Sequence, residues 1–244
     1  IGKTTLLRAA VELACEKGYL PLRTAPGEVD ATVTFAALAD LLAPILDRTL
    51  PLLGRARRRA IEGALLLGDE FDARIDERAV GFAVLEALTV ASGETPLLIA
   101  LDDSQWIDPS SGVVLSYVAR RIVALDSIRI LLSRRRPSVE SDRVVTALTP
   151  DHLERIGVGP LSAGATYRIV STRLWHPVTR PAFTRLHDAS GGNPFFAIEM
   201  ARAVEAAAGS MTEAASRWGE QTLLRDRLAP LAEVVESMTL LADV

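Results

Sequence analysis

Gly2-Lys3-Thr4-Thr5 gathers a permissive backbone, a positive point charge and two hydroxyls into four consecutive residues, at the head of a segment with helical spacing. That combination suits a polyanion. Backbone N–H groups at a helix N-terminus meet negative charge directly, and a glycine lets the main chain approach it closely. Ile1-Gly2-Lys3-Thr4-Thr5 is the second half of the phosphate-loop pattern G-x-x-x-x-G-K-[ST]. In that pattern the lysine reaches the β and γ phosphates of a nucleoside triphosphate and the first hydroxyl binds Mg²⁺. Gly2, Lys3, Thr4 and Thr5 are therefore the expected nucleotide ligands, with Thr4 also a ligand of Mg²⁺. Leu6, Leu7, Ala10, Val11, Leu13 and Ala14 recur at the helical period the motif requires after it.

A second cluster closes the run Pro96-Leu97-Leu98-Ile99-Ala100-Leu101-Asp102-Asp103. An apolar run without alternation reads as a strand buried on both faces of a parallel sheet. Ligands of such sheets bind beyond the carboxyl ends of the strands, where the two acids fall. Asp102 is expected to hold Mg²⁺, usually through water, and Asp103 to polarise an attacking water as general base. Either cluster alone carries little weight; the two together point to one site.

The stretch Leu101-Asp102-Asp103-Ser104-Gln105-Trp106-Ile107-Asp108-Pro109-Ser110-Ser111 resembles the extended Walker B segment of the AAA-type ATPase module in large bacterial LuxR-type transcriptional regulators. These belong to the signal-transducing nucleotide switches called STAND ATPases. The resemblance implies an α/β fold, a P-loop NTPase three-layer parallel sheet followed by an α-helical lid, with ATP and Mg²⁺ as cofactors. It implies a sensor at the end of the next strand, Ser127 to Arg134, which makes Arg134 the residue that reports on the γ phosphate; the run Arg134, Arg135 and Arg136 reads equally as a solvated face. It further implies that Ser190-Gly191-Gly192-Asn193-Pro194-Phe195-Phe196 is the lid's G-x-P element, with Asn193 and Pro194 beside the base. Read locally, the same glycines stop one helix and Asn193 with Pro194 starts the next.

The function so implied is an ATP-binding, slowly hydrolysing regulatory switch that answers an inducer or regulatory protein, self-associates, and acts through a DNA-binding helix-turn-helix domain beyond Val244. Two alternatives stay open: the same module fused to a kinase or cyclase, and a degenerate scaffold used for protein contacts. Arg120 and Arg121 fall where related ATPases place a finger for a neighbouring subunit.

The elements that must position these residues alternate between strand and helix, the signature of a parallel sheet with crossover helices. Tyr19 to Thr24 reads as a strand, and Phe35 to Leu46 and Ala56 to Leu67 read as helices. Gly68 to Glu77 reads as a loop, and Arg78 to Ala91 as a helix. Asp108 and Pro109 are an N-cap and first-turn proline for a helix through Val113, Val114, Leu115, Val118 and Ile122. His152 to Gly159 reads as the last core strand. From Ala163 onward the pattern is helical, broken over Trp175 to Arg180 by Pro177 and Pro181. These readings divide the chain into an ATPase core over 1–161, a helical lid over 162–212 and the start of a further helical or winged-helix domain over 213–244. The first four positions of the phosphate loop and the strand before it are expected upstream of Ile1. Without that strand its neighbours lose ladder partners, at about 1–3 kcal/mol per buried unsatisfied group. A polypeptide starting at Ile1 is therefore expected to bind ATP weakly and to fold poorly alone.

Composition narrows the partners. A length of 244 residues accommodates an α/β domain and a smaller helical one. Apolar residues make up 49%, yet no run approaches a bilayer span, so a cytoplasmic protein without membrane contact is expected. Cys15 is the single cysteine, which excludes a disulfide framework and a cysteine-based zinc site and reads as a small core residue. His152, His176 and His187 are scattered and read as structural or exposed. The net charge of −4 opposes the basic footprint of a DNA-reading module, so no direct DNA binding by this stretch is expected. Arg55, Arg57, Arg58 and Arg59 have no interleaved aromatic residues and read as a solvated helix face.

Overall fold

The computed structural model describes residues 2–67, 75–135, 143–173 and 179–208. The expected break around Pro177, the residues His176 and Arg136, most of the loop expected from Gly68, and the domain expected over 213–244 lie outside the described residues. The described residues divide into two compact units, one from Lys3 to Ile156 and one holding those from Gly157 onward together with Gly2.

Among the described residues the first unit is built on three parallel strands, β1 (Leu20–Thr24), β2 (Leu97–Leu101) and β3 (Ile128–Leu132), in the order β1-β2-β3. Its helices are α1 (Lys3–Glu16), α2 (Ala36–Leu42), α3 (Leu46–Thr49), α4 (Arg55–Ala64), α5 (Glu77–Ser92), α6 (Pro109–Ile122) and α7 (Arg143–Thr146). All five residues of the central strand β2 are buried, as an unbroken apolar run requires. Its period of two sorts them between two layers. Leu97, Ile99 and Leu101 enter the main core with Leu22, Leu38, Ile61, Val84 and Leu115, while Leu98 and Ala100 pack with Leu7 and Val11 of α1. Helices thus cover both faces of a parallel sheet, the α/β three-layer architecture expected of a P-loop NTPase.

Local chemistry sets most element ends. Asp76 caps α5 by accepting the N–H groups of Arg78 at 2.9 Å and Ala79 at 3.4 Å. Asp108 caps α6 with Pro109 in its first turn, as the sequence requires. The helix expected over Phe35 to Leu46 is instead two pieces, α2 and α3, because Pro44 has no N–H to continue the ladder; Phe35 stands outside α2 at φ 60°. The strand expected over His152 to Gly159 does not form. Pro150–His152 is a 3₁₀ turn, and the residues after it pair with no strand among the described residues and stay mostly exposed, Ile156 at 79%. Cys15 is exposed, against the expected core position. Leu7, Val11 and partly buried Ala14 define the sheet-facing stripe of α1, and Cys15 lies eight residues past Leu7, about 80° around the helix from it. Arg55, Arg57, Arg58 and Arg59 line the exposed side of α4, where Arg58 pairs with Glu62 at 2.7 Å and Arg57 with Glu86 of α5.

The second unit contains α8 (Ala163–Ser171), α9 (Arg180–Ser190) and α10 (Pro194–Ala208) around Val170, Ala182, Phe183, Leu186, Ala197 and Ala201. Between α9 and α10 the chain reverses through Gly191 and Gly192 at positive φ. A side chain at Gly192 would meet the carbonyl oxygen of Leu161 at 2.5 Å, while the Leu161 N–H donates to the Gly192 carbonyl at 2.8 Å. Among the described residues no helix is long and apolar enough to cross a membrane.

Candidate functional site

Strand register sets the level of every group at one edge of the sheet. Thr24 pairs with Leu101 and Leu101 with Leu132, so the residues that follow leave at the same height, beyond the carboxyl ends where ligands of parallel sheets bind. The Asp102 N–H donates to the Thr24 carbonyl at 3.0 Å, and the Ser133 N–H to the Leu101 carbonyl at 2.8 Å. Asp102 is 8% exposed, and the Ser133 hydroxyl donates to its Oδ1. The Asp103 N–H lies 3.1 Å from that same Oδ1 and 3.1 Å from Ser133 Oγ.

Asp103 itself occupies the left-handed region, φ 46° and ψ 52°, a conformation uncommon for a residue with a side chain. It turns the chain out of β2 into the 3₁₀ turn Ser104–Trp106. There the Gln105 Nε2 amide donates to Asp103 Oδ1 at 2.9 Å, and Gln105 Oε1 accepts the Arg135 N–H at 3.2 Å.

Below this turn Asp108, 1% exposed, joins two helices. Its Oδ1 accepts the N–H groups of Ser111 at 2.9 Å and Phe35 at 2.8 Å, and its Oδ2 accepts that of Ala37 at 3.2 Å. Ser111 Oγ accepts the Leu38 N–H at 3.0 Å. The first turns of α2 and α6 therefore share one carboxylate and one hydroxyl, which fixes the segment between the acidic pair and α6.

The first turn of α1 reaches the same edge by connectivity. A turn over Lys17 to Tyr19 sends β1 back alongside α1, so the helix start and the strand ends lie together. Lys3 is the first helical residue, and Gly2 before it has φ 94° with open space where a side chain would stand. The first N–H groups of a helix have no partner within it. Lys3 and Thr4 are part-exposed and Thr5 exposed, and their side chains make no hydrogen bond or ion pair with a described residue. The donors gathered here are hydroxyl and carboxylate oxygens, the hard set that suits Mg²⁺, with a lysine and free amides to suit phosphate oxygens.

By this connectivity, and by the packing of Leu7 and Val11 on Leu98 and Ala100, the α1 start that carries Lys3, Thr4 and Thr5 is directed to the sheet edge from which Asp102 and Asp103 leave. Arg134 follows Ser133, half-buried and without a hydrogen bond or ion pair to a described residue. Asn193 and Pro194 belong to the helical unit, where Asn193 Oδ1 accepts the N–H groups of Phe195 at 3.0 Å and Phe196 at 3.3 Å, an N-cap for α10. Sequence reasoning missed the bonds of Ser133 and Gln105 to the acidic pair. Ser133 was signalled as the polar residue at the carboxyl end of an expected strand; Gln105 carried no signal of its own.

A family model described as AAA ATPase domain matches residues 1–132. No curated protein and no solved structure matches the chain.

Proposed function

We propose that this chain, which belongs to the AAA ATPase domain family, is an ATP-dependent switch module that binds Mg-ATP at the carboxyl edge of its sheet and hydrolyses it slowly. The family makes it a nucleotide-binding module; the identity of the nucleotide, the hydrolysis and the regulatory setting are the proposal. One observation carries it: α1, whose first turn holds Lys3 and Thr4, packs through Leu7 and Val11 on Leu98 and Ala100 of the buried central strand that leads into Asp102 and Asp103.

In this reading the free amides of the α1 first turn and Lys3 cradle the phosphates, and Thr4 and Asp102 hold Mg²⁺. The ion, when bound, neutralises charge between the β and γ phosphates. Asp103 orients water and accepts its proton, and Arg134 senses the γ phosphate. Positioning and electrostatics suffice, because phosphoryl transfer needs little covalent help. The segment Leu101 to Ser111 supports a LuxR-type regulator as the setting, with an inducer and DNA-binding output supplied elsewhere in such a protein. A switch requires that ATP favour one conformation over another, since equal affinity shifts nothing.

The test is Mg-ATP binding and turnover beside Asp103→Asn. Retained binding with turnover lost supports the switch. Binding with no turnover in either protein contradicts the hydrolytic step and favours a scaffold.

A further inference from the structure

We propose that Gln105 is a positioning residue that ties the Asp103 carboxylate to the exit of β3, so that the sensor end of the sheet and the acid that acts on water move together. The inference rests on the reading of Asp103 given above.

Asp103 and the β3 exit are joined at two levels. The main-chain level is the Asp103 N–H on Ser133 Oγ at 3.1 Å and the Ser104 N–H on the Ser133 carbonyl at 2.9 Å. The side-chain level is Gln105, whose amide spans from Asp103 Oδ1 at 2.9 Å to the Arg135 N–H at 3.2 Å. An ionised carboxylate only accepts and a backbone N–H only donates, so the bridge between them needs a donor at one end and an acceptor at the other. A carboxamide meets both demands, one from each of its two ends, and its neighbours here fix which end is nitrogen.

Arg134 sits between the two anchored residues. Ser133 holds the backbone and one oxygen of the acidic pair, and Arg135 holds Gln105, so a shift of this exit when Arg134 meets an anionic group is carried to the Asp103 carboxylate. The Gln105 bond engages Oδ1 and leaves Oδ2 for a proton. It also steadies a residue whose left-handed backbone is costly to hold.

Two variants separate the arms of the bridge. Q105E keeps an acceptor for the Arg135 N–H and loses the donor to Asp103, while Q105A loses both. Turnover and affinity for a non-hydrolysable ATP analogue are measured in the full-length protein, together with D103N and the double variant D103N/Q105A. Both Gln105 variants are expected to turn over ATP about tenfold more slowly or worse, a loss typical of misplaced reacting groups, with analogue affinity within about twofold. The double variant is expected to match D103N, as a residue acting only through Asp103 requires.

A second readout needs no activity. In nucleotide-free protein the Arg135 backbone amide resonance is expected to move in Q105A and far less in Q105E, and the Gln105 side-chain amide resonance to move in D103N. Unchanged turnover in both Gln105 variants, additive losses in the double variant, or resonances that stay in place would each overturn the proposal. Absence of ATP binding in the unaltered protein would instead sink the functional reading, and the resonances alone would then decide the bridge.

Discussion

The Ser133 hydroxyl donates to the Asp102 carboxylate across the aligned ends of β3 and β2. The same oxygen accepts the Asp103 N–H at 3.1 Å, so one hydroxyl fixes both acids. Hydrogen bonds to charged groups are worth about 1.5–3 kcal/mol. Ser133→Ala is expected to cost that much in urea unfolding, and Ser133→Thr, which keeps the hydroxyl, much less. Equal stabilities for the two variants would mean that the hydroxyl does not hold the pair.

Asp108 satisfies three backbone donors from two helices, those of Phe35, Ala37 and Ser111. Its removal leaves buried N–H groups without partners at about 1–3 kcal/mol each. Asp108→Ala is therefore expected to lose about 3 kcal/mol or more in the same unfolding measurement, well above the roughly 1 kcal/mol of an ordinary N-cap. A loss near that ordinary value would show that α2 does not depend on this carboxylate.

Gly191 and Gly192 share positive φ but differ in space. Nothing lies within 4 Å of a side chain built at Gly191, whereas one at Gly192 meets the Leu161 carbonyl at 2.5 Å. Gly191→Ala is expected to cost about 1–2 kcal/mol from backbone conformation alone. Gly192→Ala adds displacement of the Leu161 segment and is expected to cost more, with the α9 to α10 turn losing protection in hydrogen exchange. Equal costs would contradict the close approach.

The parts of this fold written in local chemistry were legible in the sequence. The buried run before Asp102, the Asp108 and Pro109 start of α6 and the helical period after Gly2-Lys3-Thr4 each follow from residue type and spacing, and the structure has all three. The misreadings came where tertiary context decides. His152 to Gly159 reads as a strand, but a strand exists only against a partner, and none pairs with it among the described residues. Cys15 has an apolar neighbourhood in sequence yet turns past the stripe that Leu7 and Val11 bury. The Ser133 to Asp102 and Gln105 to Arg135 bonds span about thirty residues. They arise from the parallel register, which a single sequence does not display.

The central claim is that the α1 first turn and the acidic pair form one Mg-ATP site. Calorimetric titration of ATP, with and without Mg²⁺, into the full-length protein tests it beside Lys3→Ala. The account predicts Mg²⁺-dependent binding that Lys3→Ala weakens by about tenfold to a hundredfold, the loss of a charged contact of about 1.5–3 kcal/mol. Binding that is equal in both proteins, or absent from the unaltered one, would contradict it.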